Sequence, residues 1–400
     1  MKLFEKGELK LLWPFYLSNL IESIFLIWMV FYIIYFKQMG LTFFQISSFL
    51  AVYSFLVIIF EVPTGAIADI FGRKFSVVLG LIFSGFLFIL IALFKDYYTL
   101  LGLWAFLGIT TTLMSGADQA LVIEHLNRNK RKDLIYDYYI KDGSIMGAGL
   151  IFSGIIGAFL VKYFGLEIIW WSGGASMIFG AFFIFSFVDE GFKRKKIKII
   201  EQIKETWTYS KFSISYGIKN KVLLFIILAG FFTVISTSLS SMIAWQPLLV
   251  NLGFEVYWLG YLMSLGGLIM VFVPFLSKPL LKTIKSEKNY LAILLSTLFL
   301  ITLFIIIVPN WEVAVLIFCL MIIPFELIHP VRSKFSQHHT PSKYRASITS
   351  SMTMIMGIGG TIGALVAGYL MDIIGPKMTI FFSAFFLIPA IIFYLMIKEK

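Results

Sequence analysis

The chain has 400 residues, 59% of them hydrophobic and only 14% charged, so its apolar surface is too large for one water-soluble core and it is read as an integral membrane protein. A spanning helix takes about 20 apolar residues, so twelve spans use roughly 240 and leave no room for a large extramembrane domain. The formal charge of +11 invites nucleic acid as a partner, and the positions of the basic residues exclude it below. The single cysteine, Cys319, lies in an apolar stretch and rules out an intrachain disulfide.

In chain order, a Lys-containing start from Met1 to Lys10 leads into an apolar run at about 11–36. That run is too long for a signal-peptide core and lacks a small-residue cleavage site, so it is expected to stay as the first span. Further runs of helix length follow at about 43–67, 75–94, 98–124, 141–163 and 167–188. A polar stretch from Asp189 to Lys221 separates them from six more, at about 222–249, 256–278, 289–308, 311–332, 348–371 and 376–397. With the N-terminus in the cytoplasm, every one of the 33 Lys and Arg residues except Lys37, Lys95, Lys162 and Lys377 falls on the inner side. This positive-inside bias puts both termini in the cytoplasm of a plasma-membrane protein. It also accounts for the basic charge without nucleic acid and favours anionic lipid at the inner loops. Within the polar stretch, Lys193-Arg194-Lys195-Lys196 followed by Ile199, Ile200, Ile203 and Trp207 has the spacing of a helix lying on the inner surface.

The two sets of six spans are related. Ile145-Met146-Gly147-Ala148-Gly149 and Ile355-Met356-Gly357-Ile358-Gly359 match at an offset of 210 residues, and Leu160 and Gly165 meet Leu370 and Gly375 at the same offset. The expected fold is therefore all-α with twelve transmembrane helices in two six-helix halves: 1–188, a cytoplasmic linker 189–221, and 222–400. Spans three, six, nine and twelve carry no ionisable residue in their interiors, as expected of helices facing lipid.

Between the second and third spans runs Gly65-Ala66-Ile67-Ala68-Asp69-Ile70-Phe71-Gly72-Arg73-Lys74. This G-x-x-x-D-x-x-G-R-K pattern resembles the signature loop of the major facilitator superfamily (MFS) of secondary transporters. Gly65 and Gly72 suit a close approach and a tight turn, and Asp69 suits a helix N-terminus. The resemblance implies that this helix is the eleventh and that Arg73 pairs with an acid near the inner end of span four. Glu124 is the nearest candidate, with Asp133 and Asp137 as competitors, and Lys74 completes the latch. The resemblance further implies that spans one, four, seven and ten line a central cavity.

Those four spans hold the polar residues. In span one, Ser18, Asn19 and Glu22 form a strip whose carboxyl lies about 16 Å from the cytoplasmic end. Span four offers Asp118 and Gln119, span ten Glu326 and His329, and span seven Ser236 and Ser240 before Trp245 and Gln246. Glu22, Asp118, Glu326, Asn19, Gln119 and His329 are the proton and substrate candidates; Ser236, Ser240, Trp245 and Gln246 are the cavity-lining candidates. The bland alternative for each acid is a hydrogen bond gluing neighbouring helices. Small residues for sliding helix contacts occur at Gly143, Gly147, Gly149, Gly357, Gly359 and Gly363, and at Gly260-x-x-x-Ser264.

The cavity candidates include three acids and no Lys or Arg, which disfavours anionic cargo. The function expected is proton-coupled export of a small cationic, zwitterionic or neutral lipophilic solute by a monomer with no metal or other cofactor. The resemblance is looser for an antiporter: span five reads Ser153-Gly154 where such members carry Gly-Pro. A symporter or uniporter for a neutral nutrient is the alternative, followed by a lipid flippase. An enzyme is not expected, because no Walker, zinc-site or nucleophile-elbow pattern occurs.

Overall fold

The computed structural model describes residues 4–191, 220–340 and 345–397. The surface helix expected around Ile199 to Trp207, and most of the linker, lie outside the described residues. Eleven helices there are long and apolar enough to cross a membrane. They are α1 (Glu8–Gln38), α2 (Phe43–Phe71), α3 (Arg73–Leu93), α4 (Tyr97–Arg128), α5 (Leu134–Phe164), α6 (Ile168–Phe187), α7 (Lys221–Asn251), α8 (Trp258–Ile284), α9 (Glu287–Ile307) and α10 (Trp311–His338), with a last continuous stretch, Ser351–Met396. The helix that contains this stretch begins at Arg345 and holds one non-helical residue, Gly375 at φ 77 and ψ 166, which divides it into α11 (345–374) and α12 (376–396). Twelve spans result.

Local chemistry sets the helix starts. Asp96 opens α4 by accepting from the amides of Tyr98 and Thr99, and hydrogen bonding to Thr99 holds its carboxyl below the usual range. Asn220, Ser286 and Asn310 cap α7, α9 and α10 in the same way, each removing orphan amides that a helix end otherwise leaves unsatisfied.

Three of the four helices that carry the polar residues are interrupted. α1 breaks at residues 25–27, α4 at Ser115-Gly116, where Gly116 has φ 69, and α7 at Ser240-Ser241. α10 runs through without a break but contains Pro324 and Pro330 on either side of Glu326 and His329.

The helices fall into two compact units. The first comprises Met1–Tyr35, Val52–Ile203 and Tyr257–Gly267; the second comprises Phe36–Ala51, Lys204–Val256 and Leu268–Lys400. In the first, α3 packs on α4 and α6, and α1 packs on α5 and α6. In the second, α9 packs on α10 and α12, and α7 packs on α11 and α12. Each pairing becomes its counterpart when six is added to the helix number, so the repeat at offset 210 is a repeat of packing as well as of sequence. The units depart from the sequence halves in two places: the start of α2 groups with α11, and the start of α8 groups with α5. Helices α3, α6, α9 and α12 present Phe83, Phe86, Phe179, Phe182, Leu300 and Leu395 outward, an apolar surface suited to lipid.

Candidate functional site

In the first unit the polar strip of α1 faces α4, α5 and α6. The Ser18 hydroxyl donates to Glu22 Oε1 at 2.6 Å. Room for this pair is made by Gly180 on α6: a Cβ there would lie 2.7 Å from Glu22 Oε1 and 2.8 Å from Ser18 Oγ. One turn away, Asn19 donates through Nδ2 to the Tyr138 hydroxyl at 3.3 Å and to Asp142 Oδ1. Asp118 sits in the first turn after the Gly116 break, where the helix dipole favours a negative charge, and accepts from the Gln119 amide at 2.6 Å. Asp118 and Asp142 lie on the second part of α4 and on α5, both of which pack against α1. Glu22 is half-buried, whereas Asp118 and Gln119 are exposed on the unit.

Among the described residues no lysine or arginine pairs with Glu22, Asp118 or Asp142. Lys141, the neighbour of Asp142 in sequence, turns to the fully enclosed Glu8 with Nζ 2.5 Å from each carboxylate oxygen, and Tyr16 donates to the same group at 2.8 Å. The result is a three-carboxylate cluster whose nearby cation is consumed elsewhere. Asp142 and Gly180 are the members that sequence reasoning missed. Asp142 falls at the edge of the apolar run at 141–163, while the real helix starts at Leu134 and carries it two turns inside. Gly180 has no signal at all in an apolar helix rich in small residues.

The second unit is less polar where it was expected to be open. Ser236 is buried and donates to the Ser383 carbonyl at 2.8 Å, tying α7 to α12. Ser240 returns to the Ser236 carbonyl at 2.9 Å. Trp245 is enclosed against Phe318, with ring centroids 5.2 Å apart, and Gln246 is likewise enclosed. The α7 hydroxyls thus largely satisfy backbone carbonyls beside the break, a use that serine and threonine have in any helix. On α10, Glu326 is half-buried and His329 exposed.

At the signature loop, Arg73 Nε lies 2.9 Å from Glu124 Oε1, and its Nη2 lies 3.6 Å from Asp69 Oδ1. Of the three acids weighed for Arg73, the structure selects Glu124, and Asp133 pairs with Arg131 at 2.8 Å instead. Lys74 sits over the Phe185 ring at 5.2 Å. Gly72, at φ 106, makes the turn that L side chains avoid. The Arg73 amide donates to Glu190, whose carboxyl is pushed up by burial. Next to it, Asp189 pairs with Arg128 at 2.9 Å and is held below the ordinary range by that arginine.

Of the small residues, Gly149 approaches Ser23 on α1, Gly359 would meet the Phe231 ring at 2.8 Å, and Gly363 would meet Ser238 Cβ at 2.8 Å. A Cβ on Gly143 or Gly357 meets nothing within 4 Å, and Gly147 is half-buried. The tightest approach in the first unit is between Gly154 and Gly260, backbone to backbone, with Ser264 Oγ donating to the Ile151 carbonyl at 2.6 Å.

Twelve spans in two equivalent packing sets, with helix breaks beside unpaired acids, define a polytopic membrane carrier. The chain belongs to the Major Facilitator Superfamily, whose family model matches residues 17–364 and 289–400. It is a secondary transporter of that family. It is 24% identical over 381 residues to the uncharacterized MFS-type transporter YxaM of Bacillus subtilis (strain 168), covering 92% of this chain and 91% of that one. The fold is similar to that of the nucleoside transporter NupG, with a TM-score of 0.76 at 14% identity over 98% of this chain and all of the other. It is also similar to that of a bacterial homologue of the human lysosomal transporter Spinster, with a TM-score of 0.75 at 13% identity over 98% and 97% of the two chains.

Proposed function

We propose that the protein exports small cationic or zwitterionic organic solutes, and neutral lipophilic ones less readily, in exchange for protons across the cell membrane, with both termini in the cytoplasm. The observation that carries this reading is that Glu22, Asp118 and Asp142 sit on packed helices α1, α4 and α5 and, among the described residues, have no paired lysine or arginine. A carboxylate in a low-dielectric setting is costly without a counter-charge, and either a proton or a cationic cargo supplies one. The two compete for the same acids, so loading cargo from one side releases protons there, and rebinding protons on the other side releases cargo. An anionic solute finds nothing to pair with. The breaks in α1 and α4 next to these acids expose backbone dipoles where helical bonding stops, which is how discontinuous helices serve binding sites in transporters. The basic inner loops favour anionic lipid around a monomeric carrier.

The test begins with a ligand-stabilisation screen of the purified protein and continues in proteoliposomes with an imposed pH gradient. Exchange predicts that the cargo accumulates against the proton gradient and that Glu22→Gln, still folded, loses this movement. Gradient-driven transport that is unchanged in Glu22→Gln overturns the role of Glu22. Accumulation in the same direction as the protons replaces exchange with symport of a nutrient.

A further inference from the structure

The turn between α11 and α12 repeats the signature loop. Gly368-Tyr369-Leu370-Met371-Asp372-Ile373-Ile374-Gly375-Pro376-Lys377 has Gly, Asp, Ile, Gly and Lys at the same places as Gly65 to Lys74. The offset is 303 residues, not the 210 that relates the two halves; at 210, Asp372 is matched by Lys162. The backbone repeats too: Gly375 has φ 77 and ψ 166, Gly72 has φ 106 and ψ 147. These turns lie at opposite ends of the bundle, because α2 starts beside one of them and ends in the other.

The second loop performs a cap. Asp372 accepts from the Phe43 amide through Oδ1 and from the Phe44 amide through Oδ2, both at 2.9 Å. Gln45 and Thr42 satisfy each other's amides at the same helix start, at 2.9 and 3.1 Å, so Asp372 takes the two donors that remain in this first turn. Gly368 allows the approach: a Cβ there would lie 2.6 Å from the Phe43 carbonyl oxygen and 2.8 Å from Ser47 Cβ. Lys377 donates to the Val308 carbonyl at 3.0 Å and anchors the turn to the end of α9. A negative charge on a helix of the C-terminal half thus neutralises the N-terminus of a helix of the N-terminal half.

We propose that Asp372 is a positioning residue for alternating access: it latches the start of α2 while the outer end of the carrier is closed and releases it when that end opens. The α5 and α8 contact at Gly154, Gly260 and Ser264 is the counterpart by the repeat, made by close backbone packing instead of a cap. The inference rests on alternating access and not on the identity of the cargo, so failure of the exchange reading leaves it standing.

The experiment uses the full chain in nanodiscs, with Cys319→Ser as background and nitroxide pairs at Lys95→Cys with Glu312→Cys for the outer end, and at Lys130→Cys with Lys285→Cys for the inner end. Pulsed EPR distances report the populations without any cargo. Asp372→Ala and Asp372→Asn are each expected to raise the fraction of long outer distances roughly fivefold, the scale of one lost helix cap, with a matching rise in short inner distances. Phe43→Pro removes one of the two donors at a helix position that tolerates proline and is expected to act in the same direction. Asp372→Glu, which keeps the charge, is expected to restore most of the original distribution. Unchanged outer and inner populations in folded Asp372→Asn or Phe43→Pro overturn the proposal and leave Asp372 a local cap; should Asp372→Ala not fold, these two variants carry the decision.

Discussion

Gly180→Ala tests whether the Glu22 carboxyl is held where the structure places it. The added methyl would lie 2.7 Å from Glu22 Oε1, 2.8 Å from Ser18 Oγ and 3.4 Å from Glu22 Cδ. All three atoms belong to side chains, so the overlap is relieved by rotating them away and the backbone of α6 need not move. What is lost is the 2.6 Å Ser18–Glu22 hydrogen bond. A hydrogen bond to a charged group contributes about 1.5–3 kcal/mol, and the half-exposed carboxyl recovers part of that from water, so a loss of about 1–2 kcal/mol is expected. The assay is thermal unfolding in detergent for a double-mutant cycle with Glu22→Ala. Removing the carboxyl first removes the bond and the overlap with Glu22 and frees the Ser18 hydroxyl to turn away from its 2.8 Å contact, so Gly180→Ala is expected to be nearly neutral in that background, with a coupling of about 1 kcal/mol. Additive costs refute the reasoning, because they show that Gly180 does not make room for Glu22.

Two further outcomes follow from the ion pairs. Lys141→Met leaves Glu8 enclosed without its cation, and the expected destabilisation is about 3 kcal/mol, the low end for a broken buried pair because Glu8 lies at the end of the bundle near water. The double variant Glu8→Gln with Lys141→Met is expected to recover most of it in the same unfolding assay. Arg73→Ala breaks a pair whose side chains are 26% and 40% exposed, so stability is expected to fall by less than about 1 kcal/mol while transport in proteoliposomes falls severalfold. A large loss of stability with intact transport contradicts the latch role.

The span count and the placing of polar residues on α1, α4, α7 and α10 were legible because hydropathy and ionisable residues are governed by the same membrane constraint. The pairing of Arg73 with an acid near the inner end of α4 was legible only through the family resemblance, which left Asp133 and Asp137 open beside Glu124. The break in α1 at residues 25–27 was not, for Phe25, Leu26 and Ile27 contain no glycine or proline to announce it. The break in α4 does have such a signal in Gly116. The Ser and Thr face of α7 looked like a hydrophilic wall, yet Thr233, Ser236 and Ser240 all bond to backbone carbonyls, an alternative that periodicity alone does not separate. The loop at Gly368 to Lys377 is hidden because the repeat between the halves does not lead to it: 211 residues beyond Asp69 stands Leu280, with no acid.

The strengths of these contacts sort them by what they do. A carrier that alternates needs its states within a few kcal/mol of each other, so a contact that closes one end must be weak enough to be made and broken in each cycle. The half-exposed Arg73–Glu124 pair and the Asp372 cap each fall near 1 kcal/mol, which suits that task. The Glu8–Lys141 pair, which joins α1 to α5, is the stronger contact, because Glu8 is fully enclosed. On the proposed exchange reading, Glu22 and Asp142 need no salt bridge of their own: a resident cation there would compete with the proton and with the solute, and the adjacent Lys141 bonds to Glu8 instead.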